Sequence, residues 1–314
     1  MTKAIPIFFS INDAYAPFLS VTITSIKAHS NPRQNYELIV LYEVLSVENR
    51  ERLGNMATGN VAIRFVQLSP DLLARLAGEH RKLPWANFTL SIYYRLFIAA
   101  MFPQYDQAIY LDADVVVATD LAALFCMDLG DHLVGAVRET FAIEHPQSLR
   151  YVEHHLQLPI AQYFNSGVLL LNLRQMRAEG FSENFSRLLA TYHLDFIAPD
   201  QDYLNELCRD RVLYLDPAWN TMPTRGKRVV PKVAHYTLFS KPWHYPAAQN
   251  AQYFWDIAPQ SPYYAEILAI QRVFTAADRA KDRTAEHNLL RTLAIYAEKQ
   301  PANVWQIKKE LELI

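Results

Sequence analysis

The sequence predicts an α/β fold built on a mixed, mainly parallel central sheet. Short apolar, β-branched runs alternate with helix-periodic segments through about residue 245. From about residue 262 onward the pattern is helical only. In mid-chain, one apolar run leads straight into Asp112-Ala113-Asp114 and another follows at once. We therefore expect an α/β domain over 1–250 and a helical extension over 251–314.

Taken in order, residues 4–9 form a first strand that ends in the polar turn Ser10-Ile11-Asn12-Asp13-Ala14-Tyr15. Pro17 opens a helix to about residue 29, with Phe18, Val21, Thr22, Ser25 and Ile26 on one face. Strands follow over 37–42 and 61–68, separated by a helix capped by Ser46 with Glu48 in its first turn. A short helix is expected at 70–77, and another at 91–100, packed beneath the central Asp pair and carrying Arg95 among apolar neighbours. Further strands fall at 133–137, 165–172, 212–215 and 233–236. Helices fall at 172–192 and 199–208, and 138–162 reads as irregular or partly helical. The extension breaks near Thr275 and Pro301. Its last helix, 302–314, sets Lys308 and Lys309 beside Val304, Trp305, Ile307, Leu311 and Ile314. Glu310 and Glu312 dilute that basic face, which favours packing on protein over lying on a membrane.

Composition narrows the class. The chain has 314 residues, 51% hydrophobic and 20% charged, so a sizeable core is available. A formal net charge of −2 supplies no global field for nucleic acid. Cys126 and Cys208 stand far apart, which argues against a disulfide framework or CxxC metal site and for a reducing, cytoplasmic compartment. Residues 1–6 lack a signal-peptide core, and no run is long enough to cross a bilayer. Peripheral contact at the inner membrane face and homo-oligomer formation stay open.

The chemistry centres on Asp112 and Asp114. Residues i and i+2 of an extended chain face the same way, so two carboxylates project into one small volume. Like charges that close repel, and a hard divalent cation such as Mn²⁺ or Mg²⁺ relieves the repulsion. A bare Asp-x-Asp is equally at home as a solvated strand-end turn. The apolar flanks favour a site, because ionised Asp is seldom buried without a partner.

Several motifs then line up: Asn12 to Ser25, Tyr94-Arg95-Leu96, Tyr110 to Val115, Phe164 to Leu170, Asp200 to Asn205, His235-Tyr236 and Lys241-Pro242-Trp243-His244. In this order and spacing, over about residues 4 to 245, the chain resembles the retaining glycosyltransferases of family 8, which include bacterial lipopolysaccharide galactosyl- and glucosyltransferases and glycogenin. The resemblance implies a GT-A fold and metal-dependent transfer of galactose or glucose from a UDP-sugar to a glycan or glycolipid acceptor. By position it assigns Asp112, Asp114 and His235 to the metal and Lys241 to the diphosphate. Ser10, Ile11, Asn12, Asp13 and Tyr15 fall at uracil and ribose. Ala113 lies between the metal carboxylates on the donor. Arg95, Asn165 and Asp200 fall at the donor sugar, and Gln201 near the reacting carbon. Gln201 is a poor nucleophile and Asp200 the nearest carboxylate, so a front-face departure is favoured over double displacement.

Three departures stand out. Leu238 replaces a family glycine that lets the backbone approach the phosphate, and Asn12 and Asn87 replace residues common in the family. His145, His154 and His155 read as solvated loop residues in preference to a second metal site, since the adjacent pair would diverge on a helix. Two other readings compete. One is a non-catalytic sugar-nucleotide or glycan-binding protein. The other is a haloacid-dehalogenase-type phosphatase, which also carries Asp-x-Asp after a strand, though near the start of its domain.

Overall fold

The computed structural model describes residues 4–69, 90–191, 196–299, 301 and 303–311. The helix expected at 70–77, and Asn87, lie outside the described residues.

Strand β1, Ile5–Ser10, is buried along nearly its whole length, as an inner parallel strand must be. Helix α1, Ala16–His29, follows it, with Pro17 in its first turn. Strand β2, Tyr36–Tyr42, and strand β3, Val61–Gln67, flank helix α2, Val47–Gly54. Ser46 caps α2, its side chain accepting from Asn49 N at 3.2 Å. The remaining strands are β4 (Ala108–Leu111), β5 (Val115–Val117), β6 (Val134–Arg138), β7 (Phe164–Leu171), β8 (Val212–Tyr214) and β9 (Val233–His235).

Seven strands form one sheet in the order β3-β2-β1-β4-β7-β6-β8. β1 to β4 pair in parallel, as do β6 and β8, whereas β7 runs antiparallel to both of its neighbours. β5 and β9 form a separate antiparallel ribbon with Val115 opposite His235. Successive side chains alternate across the main sheet and feed two cores, Phe8 entering one and Ile7 and Phe9 the other.

The sheet is mixed and mainly parallel, as expected, and two helices differ from expectation. Residues 91–100 are a 3₁₀ segment, Leu90–Phe97, continued by the short helix Ile98–Met101. The 3₁₀ winding stacks positions i and i+3, and Arg95 Nε accordingly donates to the Ile92 carbonyl at 3.2 Å. The single helix expected over 172–192 is two, α3 (Leu173–Ala178) and α4 (Phe181–Thr191). Gly180 stands between them at φ +62°, a left-handed stop that favours glycine.

Helix α5, Pro199–Leu207, carries the Asp-Gln-Asp motif. The irregular stretch resolves into short turns over Thr140–Glu144, Pro146–Arg150 and Ile160–Gln162, with a π turn at Tyr151–His155. The extension opens with the short helix Ala251–Ile257 and continues as α6 (Tyr264–Val273), α7 (Ala276–Ala297) and α8 (Val304–Glu310). Thr275 and Asp278 cap α7 reciprocally, which explains the break there. Leu289, Leu293, Ala297, Val304 and Ile307 enter the same core as Tyr203, Leu204 and Cys208. Lys308 is buried and donates to the Glu206 carbonyl at 3.1 Å. No helix among the described residues is long and apolar enough to cross a membrane.

Candidate active site

The Asp turn is held from below by the polar positions of α1. Thr22 Oγ1 lies 3.0 Å from the Ala113 carbonyl and 2.7 Å from that of Val115, and Ser25 Oγ accepts from Val117 N at 2.9 Å. From the side, Asp112 N donates to the Gly167 carbonyl at 2.8 Å, and Tyr236 N to the Asp114 carbonyl at 3.1 Å. The β5–β9 register then sets His235 beside both carboxylates. Its Nε2 is 3.6 Å from Asp112 Oδ2 and 3.3 Å from Asp114 Oδ1. One ligand atom from each residue falls within 4.8 Å of the others.

The histidine's orientation is determined by its other nitrogen. His235 Nδ1 is 2.9 Å from Asn220 Oδ1, while Asn220 Nδ2 donates to Asn165 Oδ1 at 2.8 Å. Asn220 Oδ1 is therefore the acceptor, and Nδ1 carries the proton. In the neutral imidazole, Nε2 then turns a lone pair toward two carboxylates. Three electron-rich atoms facing one another are complementary to a cation, and a Nδ1–H bond to a side-chain carbonyl is the usual brace for a metal-binding imidazole. The residues present thus fit Mn²⁺ or Mg²⁺. Gly167 keeps the space open, because a Cβ there would lie 2.2 Å from His235 Cε1 and 2.6 Å from Asp112 Oδ2.

Lys241 Nζ bonds Asp114 Oδ2 closely and donates to the Tyr236 carbonyl at 2.5 Å. Burial opposes ionisation of Asp114, but the Lys241 ammonium outweighs it and holds the carboxyl below its ordinary value. Trp243 anchors the lysine loop by stacking on Phe18 of α1, with ring centroids 3.6 Å apart. Within that loop Leu238 adopts φ +49°. The left-handed turn that glycine would favour is retained despite the Cβ.

A second layer lies beneath. Buried Arg95 donates from Nη2 to Asp112 Oδ1 at 2.9 Å and from Nη1 to the Ser166 carbonyl at 2.7 Å. Its Nε lies 3.3 Å from Asp200 Oδ2, and its guanidinium covers the Tyr110 ring at 4.3 Å. The Arg95 seen in sequence as an oddity thus bridges two acidic groups. Burial pushes the Asp200 carboxyl up, although Arg95 pulls the other way. Gln201 Oε1 accepts from Ser166 N at 3.1 Å and from Asn165 Nδ2 at 3.2 Å. Its Nε2 donates to Tyr163 OH at 3.0 Å. Asp202 is fully buried and accepts from Tyr151, Tyr163, Ile197 N and Ala198 N. It closes the N-terminus of α5 and leaves Asp200 and Gln201 to face the site.

At the C-terminal edge of β1, Ser10, Ile11, Asn12 and Tyr15 lie together, where ligands of open α/β sheets bind. Asn12 Oδ1 is buried and has no hydrogen-bond partner among the described residues. Tyr15 is 38% exposed and within the electrostatic reach of Lys241, Asp114 and Asp112. Asp13 turns away, and its Oδ1 accepts from Ser46 N at 2.9 Å and Asn49 Nδ2 at 2.7 Å. It anchors α2.

The glycosyl transferase family 8 model matches residues 6–247. The chain belongs to glycosyl transferase family 8. It is 25% identical over 279 residues to the lipopolysaccharide 1,2-glucosyltransferase of Escherichia coli K12, covering 84% of this chain and 77% of that protein. It is 24% identical to a putative glycosyltransferase of Haemophilus influenzae, covering 77% of this chain and 74% of that one. The galactosyltransferase LgtC, solved with donor and acceptor sugar analogs, superposes with a TM-score of 0.68 at 27% identity, over 88% of this chain and all of that one. The bifunctional glycosyltransferase WbbM superposes with a TM-score of 0.72 at 27% identity, and this chain spans about half of it (52%). These neighbours carry the GT-A fold, and family membership leaves the phosphatase alternative without support.

Seen as a family 8 glycosyltransferase, the chain holds two site residues that sequence reasoning missed. Asn220 orients His235, as above. Glu139 is buried, with Oε2 accepting from Asn165 Nδ2 at 2.7 Å and lying 3.4 Å from Gln201 Nε2. Its signal was available: it follows Arg138 directly after an apolar strand, and the register shifts at Ala136/Arg138 just before it. His145, His154 and His155 join no cation-binding group among the described residues.

Proposed function

We propose that this chain is a metal-dependent retaining hexosyltransferase that moves galactose or glucose from a UDP-sugar to a hydroxyl of a glycan or glycolipid. The catalytic unit is 1–250, with 251–314 as its helical extension, acting in the cytoplasm. The observation that carries the reading is the meeting of Asp112, Asp114 and the braced His235 Nε2 around a space kept open by Gly167. These three residues would hold Mn²⁺ or Mg²⁺, which supplies compensation for the charge that grows on the departing diphosphate. Lys241 swings from Asp114 to a phosphate oxygen as a second compensating charge. Asn12 offers its unpaired Oδ1 to the uracil edge, with Ser10, Ile11 and Tyr15 around uracil and ribose and Ala113 against the donor. Arg95 braces Asp112 and Asp200, while Asn165 and Asp200 position the donor sugar.

Gln201 stands near the reacting carbon as a hydrogen-bonding amide. Both nearby carboxylates are engaged, Asp200 by Arg95 and Ser166 and Glu139 by Asn165. Neither is a free nucleophile, which supports front-face departure with the acceptor hydroxyl entering as UDP leaves. A glycosyl adduct trapped on Asp200 or Glu139 and seen by mass spectrometry would sink that route.

A UDP-hexose panel assayed with and without Mn²⁺ tests the function. We expect metal-dependent UDP release with one hexose, lost by at least about 100-fold in Asp114→Asn. UDP binding with no transfer to any acceptor would leave the non-catalytic reading standing instead.

A further inference from the structure

Two chain segments lead out of the site, from Glu139 and from Asn220. One runs from Glu139 to Glu144 and the other from Asn220 to Gly226. They are tied together: Thr140 Oγ1 donates to the Pro223 carbonyl at 3.3 Å. Farther out, Glu144 Oε1 takes the Thr224 hydroxyl, Arg225 N at 2.7 Å and Gly226 N at 3.3 Å. Gln249 Oε1 holds Thr224 N at 3.0 Å. The loop beyond is thus fixed at its base on the rim of the site.

That loop reads Arg225-Gly226-Lys227-Arg228-Val229-Val230. Arg225, Lys227 and Arg228 are all exposed, and none forms a salt bridge among the described residues. The carboxylate in contact with the loop is Glu144, and its Oε1 is taken up by the loop's own donors. Three cations in four positions are a local concentration in a chain of net charge −2. Ile143 and Val230, 51% and 80% exposed, flank them with apolar surface. The diphosphate end of the donor has its own cationic partners in Lys241 and the metal. The rim cations follow Asn220, whose side chain bonds Asn165 and His235, by only a few residues of chain, and so border the site. Arg guanidinium forks match phosphate and carboxylate oxygens in bidentate fashion.

We propose that the Arg225–Arg228 loop is an acceptor subsite selecting an anionic glycan, one carrying a phosphate or carboxylate near the accepting hydroxyl. The inference rests on the transferase reading, because it needs an acceptor to enter here.

The test uses the full chain with UDP and Mg²⁺ saturating, so that the donor's own anion site, the diphosphate site, is closed to the probes. Glucose, glucose 6-phosphate and glucuronic acid are titrated by ligand-observed NMR. We expect the two anionic sugars to bind about tenfold tighter than glucose, a preference that about 0.5 M NaCl abolishes. The triple variant Arg225→Gln/Lys227→Gln/Arg228→Gln should reduce both to the glucose level with UDP affinity unchanged. The variant Arg225→Lys/Arg228→Lys should keep most of the preference. Equal binding of charged and neutral sugars, absence of binding by all three, or a preference that survives in the triple variant, overturns the proposal. So does a triple variant that loses only adsorption to phosphatidylglycerol vesicles, since the loop would then face lipid. Failure of the wild type to bind UDP would overturn the transferase reading instead. The same titration without nucleotide would still decide whether the loop binds anions.

Discussion

Gly167 is the residue on which the most geometry depends. Any Cβ there meets His235 and Asp112 at distances that real side chains do not occupy, and both are held by other bonds. Gly167→Ala should fold, since β7 is an ordinary inner strand, yet lose Mn²⁺ binding by at least about tenfold, read by calorimetry with UDP present. Leu238 sits at the opposite extreme. Its left-handed φ costs about 1 kcal/mol relative to glycine, and its side chain is 43% exposed, so little packing offsets the strain. Leu238→Gly should raise the unfolding free energy by up to about 1 kcal/mol, measured by urea titration, with UDP affinity equal or better. A fall in stability would show that the exposed leucine makes contacts the strain does not outweigh.

At the scale of the element, α5 couples the site to the core. Its N-terminal half presents Asp200 and Gln201, while Asp202 and Glu206 point inward. Burial pushes the Asp202 carboxyl up to about 6 and that of Glu206 up to about 7. Both folded-state values exceed the unfolded ones near 4, so the native state binds these protons more tightly. Their contribution to stability is full below about pH 4 and is lost as pH rises toward 7. Glu206→Gln should therefore flatten the upper part of the melting-temperature profile between about pH 5 and 7 relative to wild type. An unchanged pH slope would show that Arg209 holds Glu206 ionised throughout. Asp202→Asn should act on chemistry as well. Tyr163 now donates to Asp202 and accepts from Gln201, and an amide donor at 202 would force that hydroxyl to turn. We expect a lower kcat with KM for the donor nearly unchanged.

At the scale of the whole molecule, the extension is part of the core that supports the site. Leu293 is buried in the same cluster as Tyr203 and Leu204 on α5, and α7 packs along Pro146–Arg150 and the π turn. Leu293→Ala should cost about 3 kcal/mol in urea denaturation. A cost below about 1 kcal/mol would mean that the extension is only loosely joined.

Much of this was legible in the amino-acid order. Strand periodicity marked the sheet, and the alternation of extended chain put Asp112 and Asp114 on one side, because both are local properties of the backbone. Pro17 and Ser46 marked helix starts by local chemistry and Thr275 marked a break, whereas the stop at Gly180 was passed over within an apparently continuous helix. The motif series carried the family and, with it, His235 and Lys241. Tertiary structure alone decided what depends on register and on distant chain. It set His235 opposite Val115, Asn220 as the brace on its Nδ1, Arg95 as the bridge between Asp112 and Asp200, and Glu139 against Gln201. It also divided three carboxyl groups by role, turning Asp13 to α2, Asp200 to Arg95 and Asp202 into the core. Spacing along a chain specifies which side chains share a face. Which of them share a proton or a cation is decided only when segments a hundred residues apart are brought within hydrogen-bonding distance.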